Sequence, residues 1–250
     1  MVRLSSLIAA ACLCIAAAGA QDERSLTRDE VSVIKKKLVA VFESFGVPGG
    51  YSLEHENYNL PAEAYKNSGS GLYNLIGASA DRRFGTQKAA EAEGKEMQKE
   101  YQKKMADAQA KGDYQEMARL GQEMAQKAGQ IQAKASAVQK EPVEVTVNVN
   151  SNPGTVIDPD MVVFERPGAI ALRSNVENGQ ERVSVYCDPV SLKETRQLSR
   201  VDLKQPEGGV SRRTAVLSIT IEVSGPAAEV EPWVKKADMG KVLAQIDPSK

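Results

Sequence analysis

The sequence predicts an α+β protein with three parts: an N-terminal amphipathic helix and irregular helical segment, a long antiparallel helical hairpin of coiled-coil type, and a C-terminal antiparallel β-sandwich or small barrel with short C-terminal helices. Three observations predict this class. Apolar residues recur at helical spacing in 28–45, small and apolar residues lie three and four apart in 87–139, and apolar and polar residues alternate from Val143 onward. Spacings of three and four are typical of helices, and a period of two is typical of strands.

Residues 1–20 have the pattern of a secretory signal peptide. Arg3 precedes an apolar run from Leu7 to Ala18, and Ala18-Gly19-Ala20 forms a small-x-small cleavage site. We expect export to the periplasm or the extracellular space, with a mature chain that begins at Gln21. Lipoprotein anchoring is disfavoured, because the residues before the two N-terminal cysteines do not fit a lipidation site. No later stretch is apolar for long enough to span a bilayer, so we expect no transmembrane segment in the mature chain.

Residues 21–86 are predicted to form a helical and irregular region. Thr27 and Glu30 form a capping box before an amphipathic helix, which ends near Gly46. The next stretch is rich in turn residues, and we expect only short helical pieces at 62–66 and 72–80, with no strand before Gln87. Recurrent tyrosine rings with polar neighbours can form a binding surface, although they can equally pin an irregular segment to the N-terminal helix. The candidate surface consists of Tyr51, Tyr58 and Tyr65.

Residues 87–141 are predicted to form the helical hairpin. The turn is assigned to Lys111-Gly112-Asp113-Tyr114, because Gly112 can end one helix in the left-handed conformation and Asp113 can cap the next. Each arm of about 24 residues would extend about 35 Å. The stripe is poor in leucine and rich in alanine, glycine and methionine, so the interface should be thin. The candidate interaction seam consists of Met97, Tyr101, Met105, Tyr114, Met117, Met124, Ile131 and Val138.

Residues 142–225 are predicted to form an antiparallel β domain. Valine alternates with polar residues from Val143 to Val149, and turn signals follow at regular intervals, the strongest at Asn178-Gly179. Several short strands without intervening helices favour a sandwich or a small barrel. Residues 226–250 form a tail of one or two short helices. Its expected docking face contains Trp233, Val234, Ala237, Val242, Leu243 and Ile246.

Residues that enzymes and metal sites commonly use are scarce in this sequence. His55 is the single histidine, and Cys187 is the single cysteine that follows the signal peptide. Zinc and copper sites of the ordinary ligand types therefore cannot be assembled, and no Gly-x-Ser-x-Gly motif is present. Cys187 lies on the predicted core face of its strand, where a thiol behaves as a small hydrophobe. We predict no catalytic residue, no cofactor and no metal, so catalysis is disfavoured.

The charge balance favours a protein partner over a nucleic acid. The chain has 32 basic and 33 acidic residues, with no basic cluster interleaved with aromatics. Our first hypothesis is an exported, non-enzymatic protein whose helical hairpin binds another copy or another envelope protein. The alternative is an exported hydrolase, or a protein that binds a small ligand or an envelope polymer through the tyrosine-rich segment and the β domain.

Overall fold

A computed structural model describes residues 24–138, 140–151, 154–175, 179–188, 200–203, 206 and 208–248. The predicted signal peptide lies outside these residues. The described part contains five α-helices and a seven-stranded antiparallel sheet, so the predicted α+β class is confirmed.

The helices and strands alternate irregularly along the chain. A short 3-10 helix, Pro159–Met161, precedes the fifth strand. In chain order the other elements are α1 (Arg28–Phe45), β1 (Ser52–Asn59), β2 (Ala78–Gly85), α2 (Gln87–Ala110), α3 (Tyr114–Val138), β3 (Val143–Val149), β4 (Thr155–Val156), β5 (Val162–Arg166), β6 (Ala169–Asn175), β7 (Gln180–Cys187), β8 (Arg200–Val201), β9 (Ile219–Pro226), α4 (Ala227–Lys236) and α5 (Met239–Leu243).

The large sheet contains strands from both sides of α2 and α3. Its order is β1-β2-β3-β9-β7-β6-β5, and each neighbouring pair is antiparallel. The expectation of no strand before Gln87 is therefore wrong, as are the short helices expected at 62–66 and 72–80. The pattern in β1 and β2 is concealed, because β1 is an edge strand with a mostly polar sequence and β2 fills its core positions with Ala78, Ala80 and Phe84.

The apolar face of this sheet is covered by helices α1, α4 and α5. The valines of β3 are buried at every second position, as the alternation predicted, together with Ile219, Ile221 and Val223 of β9. They share one core with Leu38 and Phe42 of α1. The covering layer is thus helical, which differs from the predicted sandwich or barrel. Alternation shows that one face of a strand is buried, but it does not show what buries it.

A two-stranded sheet, β4 paired with β8, lies with a second and smaller core. That core contains Ile170, Leu172 and Tyr186, which alternate along β6 and β7 with the residues of the main core. The hydroxyl groups of Thr155 and Tyr186 are 2.9 Å apart and link β4 to β7. Both faces of the sheet are therefore covered near β6 and β7.

Trp233 joins the C-terminal helices to the rest of the core. Its indole N–H donates to the carbonyl oxygen of Phe45 at 2.8 Å, at the end of α1. The rings of Phe45 and Phe84 each meet it edge-on with centroids 5.6 Å apart. This contact brings α1, α4 and β2 together. Five residues of the predicted docking face are buried, namely Trp233, Val234, Ala237, Val242 and Ile246, while Leu243 is partly buried against the same core.

Asn150 fixes the chain at the end of β3. Its backbone has a φ of 57°, in the left-handed region that asparagine tolerates better than most residues. Its side-chain amide donates to the carbonyl oxygens of Ile76 and Ala215 at 2.7 and 2.8 Å, and its Oδ1 accepts from the N–H of Leu217 at 2.8 Å. One buried side chain therefore satisfies three backbone groups from two other segments.

Replacing Asn150 with Asp should destabilise the fold by roughly 2 to 4 kcal/mol, because two carbonyl oxygens lose their donor and face a buried carboxylate. Asn148→Asp is the matched control, since Asn148 is half-buried in β3 on the face opposite its buried valines. Urea unfolding followed by Trp233 fluorescence measures both variants. Equal midpoints for the two variants would show that the Asn150 contacts do not hold this part of the fold.

Candidate functional site

Helices α2 and α3 pack on each other through a small core of their own, and we call them the α2–α3 pair. Tyr101, Ala108 and Leu120 are buried between them. Four methionines, at positions 97, 105, 117 and 124, are partly buried around this cluster. This cluster is separate from the two cores formed by side chains of the sheet. The pair is therefore stabilised by few buried residues.

A short turn connects the two helices. Gly112 has a φ of 68°, in the left-handed region, and the N–H of Asp113 donates to the carbonyl oxygen of Ala108 at 3.0 Å. The Asp113 carboxylate then accepts from the N–H of Glu116 at 3.0 Å. These contacts end α2 and cap α3.

Five residues of the predicted seam lie in this small core: Met97, Tyr101, Met105, Met117 and Met124. Ile131 is half-buried, and the side chain of Val138 lies outside the described residues. Tyr114 is 80% exposed and does not take part in this small core.

The buried residue that the sequence analysis missed is Leu120. It lies three residues after Met117 and four before Met124, and it is the only leucine between Gln87 and Val138. Met117, Leu120 and Met124 therefore face α2 at helical spacing, and Tyr114 and Gly121 are exposed outside this core.

Charged residues surround the aromatic centre of the pair. Lys104 and Lys127 lie 5.3 and 5.2 Å from the centroid of the Tyr101 ring, one from each helix. Arg119 pairs with Glu116 and Glu123 on α3, and the Tyr101 hydroxyl donates to Glu123 at 3.5 Å. The hydrogen bond and the charge of Glu116 raise the pKa of Arg119. These exposed contacts fix the side-chain positions more than they stabilise the fold.

The solvent-facing surface of α3 has a charged stripe and an uncharged stripe. On α3 the charged residues Glu116, Arg119, Glu123 and Lys127 fall on one flank, at helical spacing. Another stripe of α3, outside the seam, carries only small or uncharged residues, all exposed, and we call it the uncharged face of α3. It consists of Ala118, Gln122, Ala125, Gly129 and Ala133.

The glycines of α2 and α3 make room for no other group among the described residues. A methyl group added at Gly94, Gly121 or Gly129 would meet nothing within 4 Å. Glycine inside a helix costs about 1 kcal/mol relative to alanine. The helices therefore carry a destabilising residue type where the chain itself does not need the space.

The three tyrosines of the candidate surface make separate contacts. Tyr51 is buried and its hydroxyl donates to the carbonyl oxygen of Glu141 at 3.2 Å. Tyr58 donates to Glu56 at 2.8 Å, and its ring lies 4.5 Å from the Lys35 ammonium of α1. Burial raises the pKa of both phenols. Tyr65 is exposed and donates to Glu63. Tyr51 and Tyr58 therefore make contacts within the chain that hold their segment against neighbouring residues.

His55 lies at the surface of the protein and Cys187 lies in its core. The side chain of His55 is 65% exposed on β1, with Nε2 3.9 Å from an Asp81 oxygen. Cys187 is fully buried, and burial together with the charge of Asp188 raises its thiol pKa to about 12. Within the described ranges, no group of three His, Cys, Asp or Glu side chains is placed to hold a metal ion.

Glu181 is a buried carboxyl beneath α4. Burial raises its pKa, while Arg173, with its Nε 3.4 Å from Oε1, opposes that shift. The Oε1 atom still lacks a hydrogen bond, since the contact with Arg173 is an ion pair of poor hydrogen-bond geometry. Arg173 also lies 3.3 Å from Glu231 of α4. This cluster links β6 and β7 to α4.

Comparisons with protein-family models, with curated proteins and with solved structures found no match. Among the described helices, none combines the length and the apolar character that a membrane span requires.

Truncating Leu120 to Ala should loosen the α2–α3 pair selectively, by roughly 2 to 4 kcal/mol of local opening free energy, because the small core has few other buried side chains. Tyr114→Ala is the control, since Tyr114 is exposed on the same helix. Amide hydrogen exchange read by mass spectrometry should show faster exchange in α2 and α3 of Leu120→Ala, with the sheet unchanged. Equal exchange in both variants would contradict the assigned seam.

Proposed function

We propose that this is an exported, non-enzymatic protein that uses the α2–α3 pair as a helical hairpin arm for protein–protein contact, with a second copy of the chain as the first partner. Export rests on the signal-peptide pattern of residues 1–20. The single observation that carries the contact role is the uncharged face of α3, which is exposed and lies outside the seam.

The composition of that face suits close helix packing. Alanine and glycine allow another helix backbone to approach closely, and glutamine can bond across the contact without a buried charge. A solvated helix face would ordinarily carry charges, as the outer side of α2 does with Lys99 and Lys103. The glycine at position 129 costs helix stability without an internal use, and a close partner would give it one.

The thin seam supports the same proposal. The arm lies between β2 and β3 in the chain, and each of its helices extends about 35 Å. Among the side chains that the structure describes in α2 and α3, three are buried between the helices, which is little for helices of this length. Packing of a second arm against α3 would add the apolar burial that the isolated pair lacks.

Ala125→Glu tests the proposal, because Ala125 is exposed at the centre of the uncharged face and a charge there leaves the seam intact. Light scattering behind size exclusion should give a multimer for the wild-type chain from Gln21 and a monomer for Ala125→Glu, since a partner helix would bury the new carboxylate. Gln102→Glu, exposed on α2, is the matched control and should keep the wild-type mass.

A wild-type mass equal to one chain at high micromolar concentration would exclude self-association through the arm. A multimer that persists in Ala125→Glu would place the contact elsewhere on the protein. Circular dichroism of the variant, expected to match the wild type, separates lost association from lost helix.

A further inference from the structure

A cavity of about 570 Å³ lies between the segment that precedes β9 and the residues that follow α5. Its wall includes the apolar side chains of Val210, Ala215, Leu217 and Pro248 and the charged side chains of Arg212 and Asp247. Sites for small molecules are commonly 300 to 1,000 Å³ in volume, mostly apolar, with a few convergent polar groups. The volume and the lining both fit that description.

The walls of the cavity are held by hydrogen bonds from other parts of the chain. Tyr73 and Val210 exchange two backbone hydrogen bonds, each 2.8 Å long. Asn150 binds the carbonyl oxygen of Ala215 and the N–H of Leu217. A cavity with fixed walls loses little conformational entropy when it binds a ligand.

The acidic group in the wall is already neutralised. Asp247 accepts from the Lys37 ammonium at 2.7 Å and from the N–H of Val216 at 2.8 Å, and Arg212 lies 2.8 Å away. Burial alone would raise the pKa of Asp247, but the hydrogen bonds from Lys37 and Val216 and the nearby cations outweigh it and lower the pKa. Asp247 is therefore a structural anion that needs no further partner.

Arg212 has N–H donors that the described contacts leave unused. Its guanidinium offers five N–H groups, and within the described residues it is paired with the Asp247 carboxylate through one terminal nitrogen. Its side chain is 62% exposed, so the unused donors remain accessible. Lys37 and Arg212 together outnumber Asp247 by one positive charge. The cavity thus combines an apolar wall with one available cation at its edge.

We propose that this cavity binds a small organic carboxylate, whose carboxylate group pairs with Arg212 and whose apolar body lies against Val210, Ala215 and Leu217. A guanidinium matches a carboxylate with two parallel hydrogen bonds, which makes this pairing stronger and more directional than an ammonium contact. The site is distinct from the hairpin arm and from the three candidate tyrosines.

Calorimetric titration of the mature chain with octanoate tests the site, with 1-octanol and octylamine as probes of equal chain length. We expect octanoate to bind and the two other compounds to bind at least tenfold more weakly, because neither can accept two parallel hydrogen bonds from the Arg212 guanidinium. Failure of octanoate to bind at millimolar concentration would overturn the proposal, and so would equal binding of octanoate and 1-octanol.

Variants of Arg212 test whether its guanidinium binds the carboxylate of octanoate. Arg212→Gln should weaken octanoate binding roughly 10-fold to 100-fold, and Arg212→Lys should give an intermediate affinity because it keeps the charge without the fork. Arg182→Gln, exposed on β7 and outside the cavity lining, should bind as the wild type does.

The Arg212 variants should fold, because Asp247 keeps Lys37 and the N–H of Val216 as partners. Unchanged unfolding midpoints will verify this. Wild-type affinity in a folded Arg212→Gln would overturn the assignment of the carboxylate to Arg212.

Discussion

The pairing of β2 with β3 is the constraint on which the rest of the structure depends. Residues 86–142 separate these strands along the chain, yet they pair in one continuous register from Ala78 opposite Val149 to Phe84 opposite Val143. The register aligns Ala80 and Phe84 with the valines of β3 and the apolar residues of β9, which forms the apolar face. Helices α1, α4 and α5 cover that face, and Trp233 ties them together at Phe45 and Phe84. A slip of one residue would turn these side chains to the other face and leave the helices without a core.

The same pairing explains how the α2–α3 pair joins the sheet. The chain leaves β2 and returns to β3 at neighbouring positions, where the N–H of Lys140 donates to the Thr86 hydroxyl at 3.3 Å. Two helices can occupy this connection without disturbing the ladder, because adjacent antiparallel strands need only a short link. The pair has its own small core around Tyr101 and Leu120, so its stability is largely its own. Such an arm can serve a contact role while the sheet provides the folded base, and the cavity near Arg212 lies in a different part of that base.

The sequence predicted best where a strong period had a single interpretation. The limits of β3 and the burial of its valines follow from strict alternation, and the tail residues Trp233, Val234 and Val242 are buried as expected. It failed at β1 and β2, because an edge strand with His55, Glu56 and Asn57 shows no apolar face and β2 contributes small residues to the core. The burial of Leu120 could have been predicted from the sequence, since Leu120 lies three residues after Met117 and four before Met124. The Arg212 cavity could not, because its walls come from segments far apart in the sequence and carry no motif.

The most direct test of this account is the stability of a chain in which residues 87–139 are replaced by a short Gly-Ser link between Thr86 and Lys140. Urea unfolding of this chain, followed by Trp233 fluorescence, measures whether the sheet and its covering helices fold without the arm. The account predicts one cooperative transition with a midpoint close to that of the full mature chain, because the β2–β3 pairing and the main core are untouched. Loss of the cooperative transition would show that the sheet depends on the α2–α3 pair, and would contradict the division into a folded base and a separate arm.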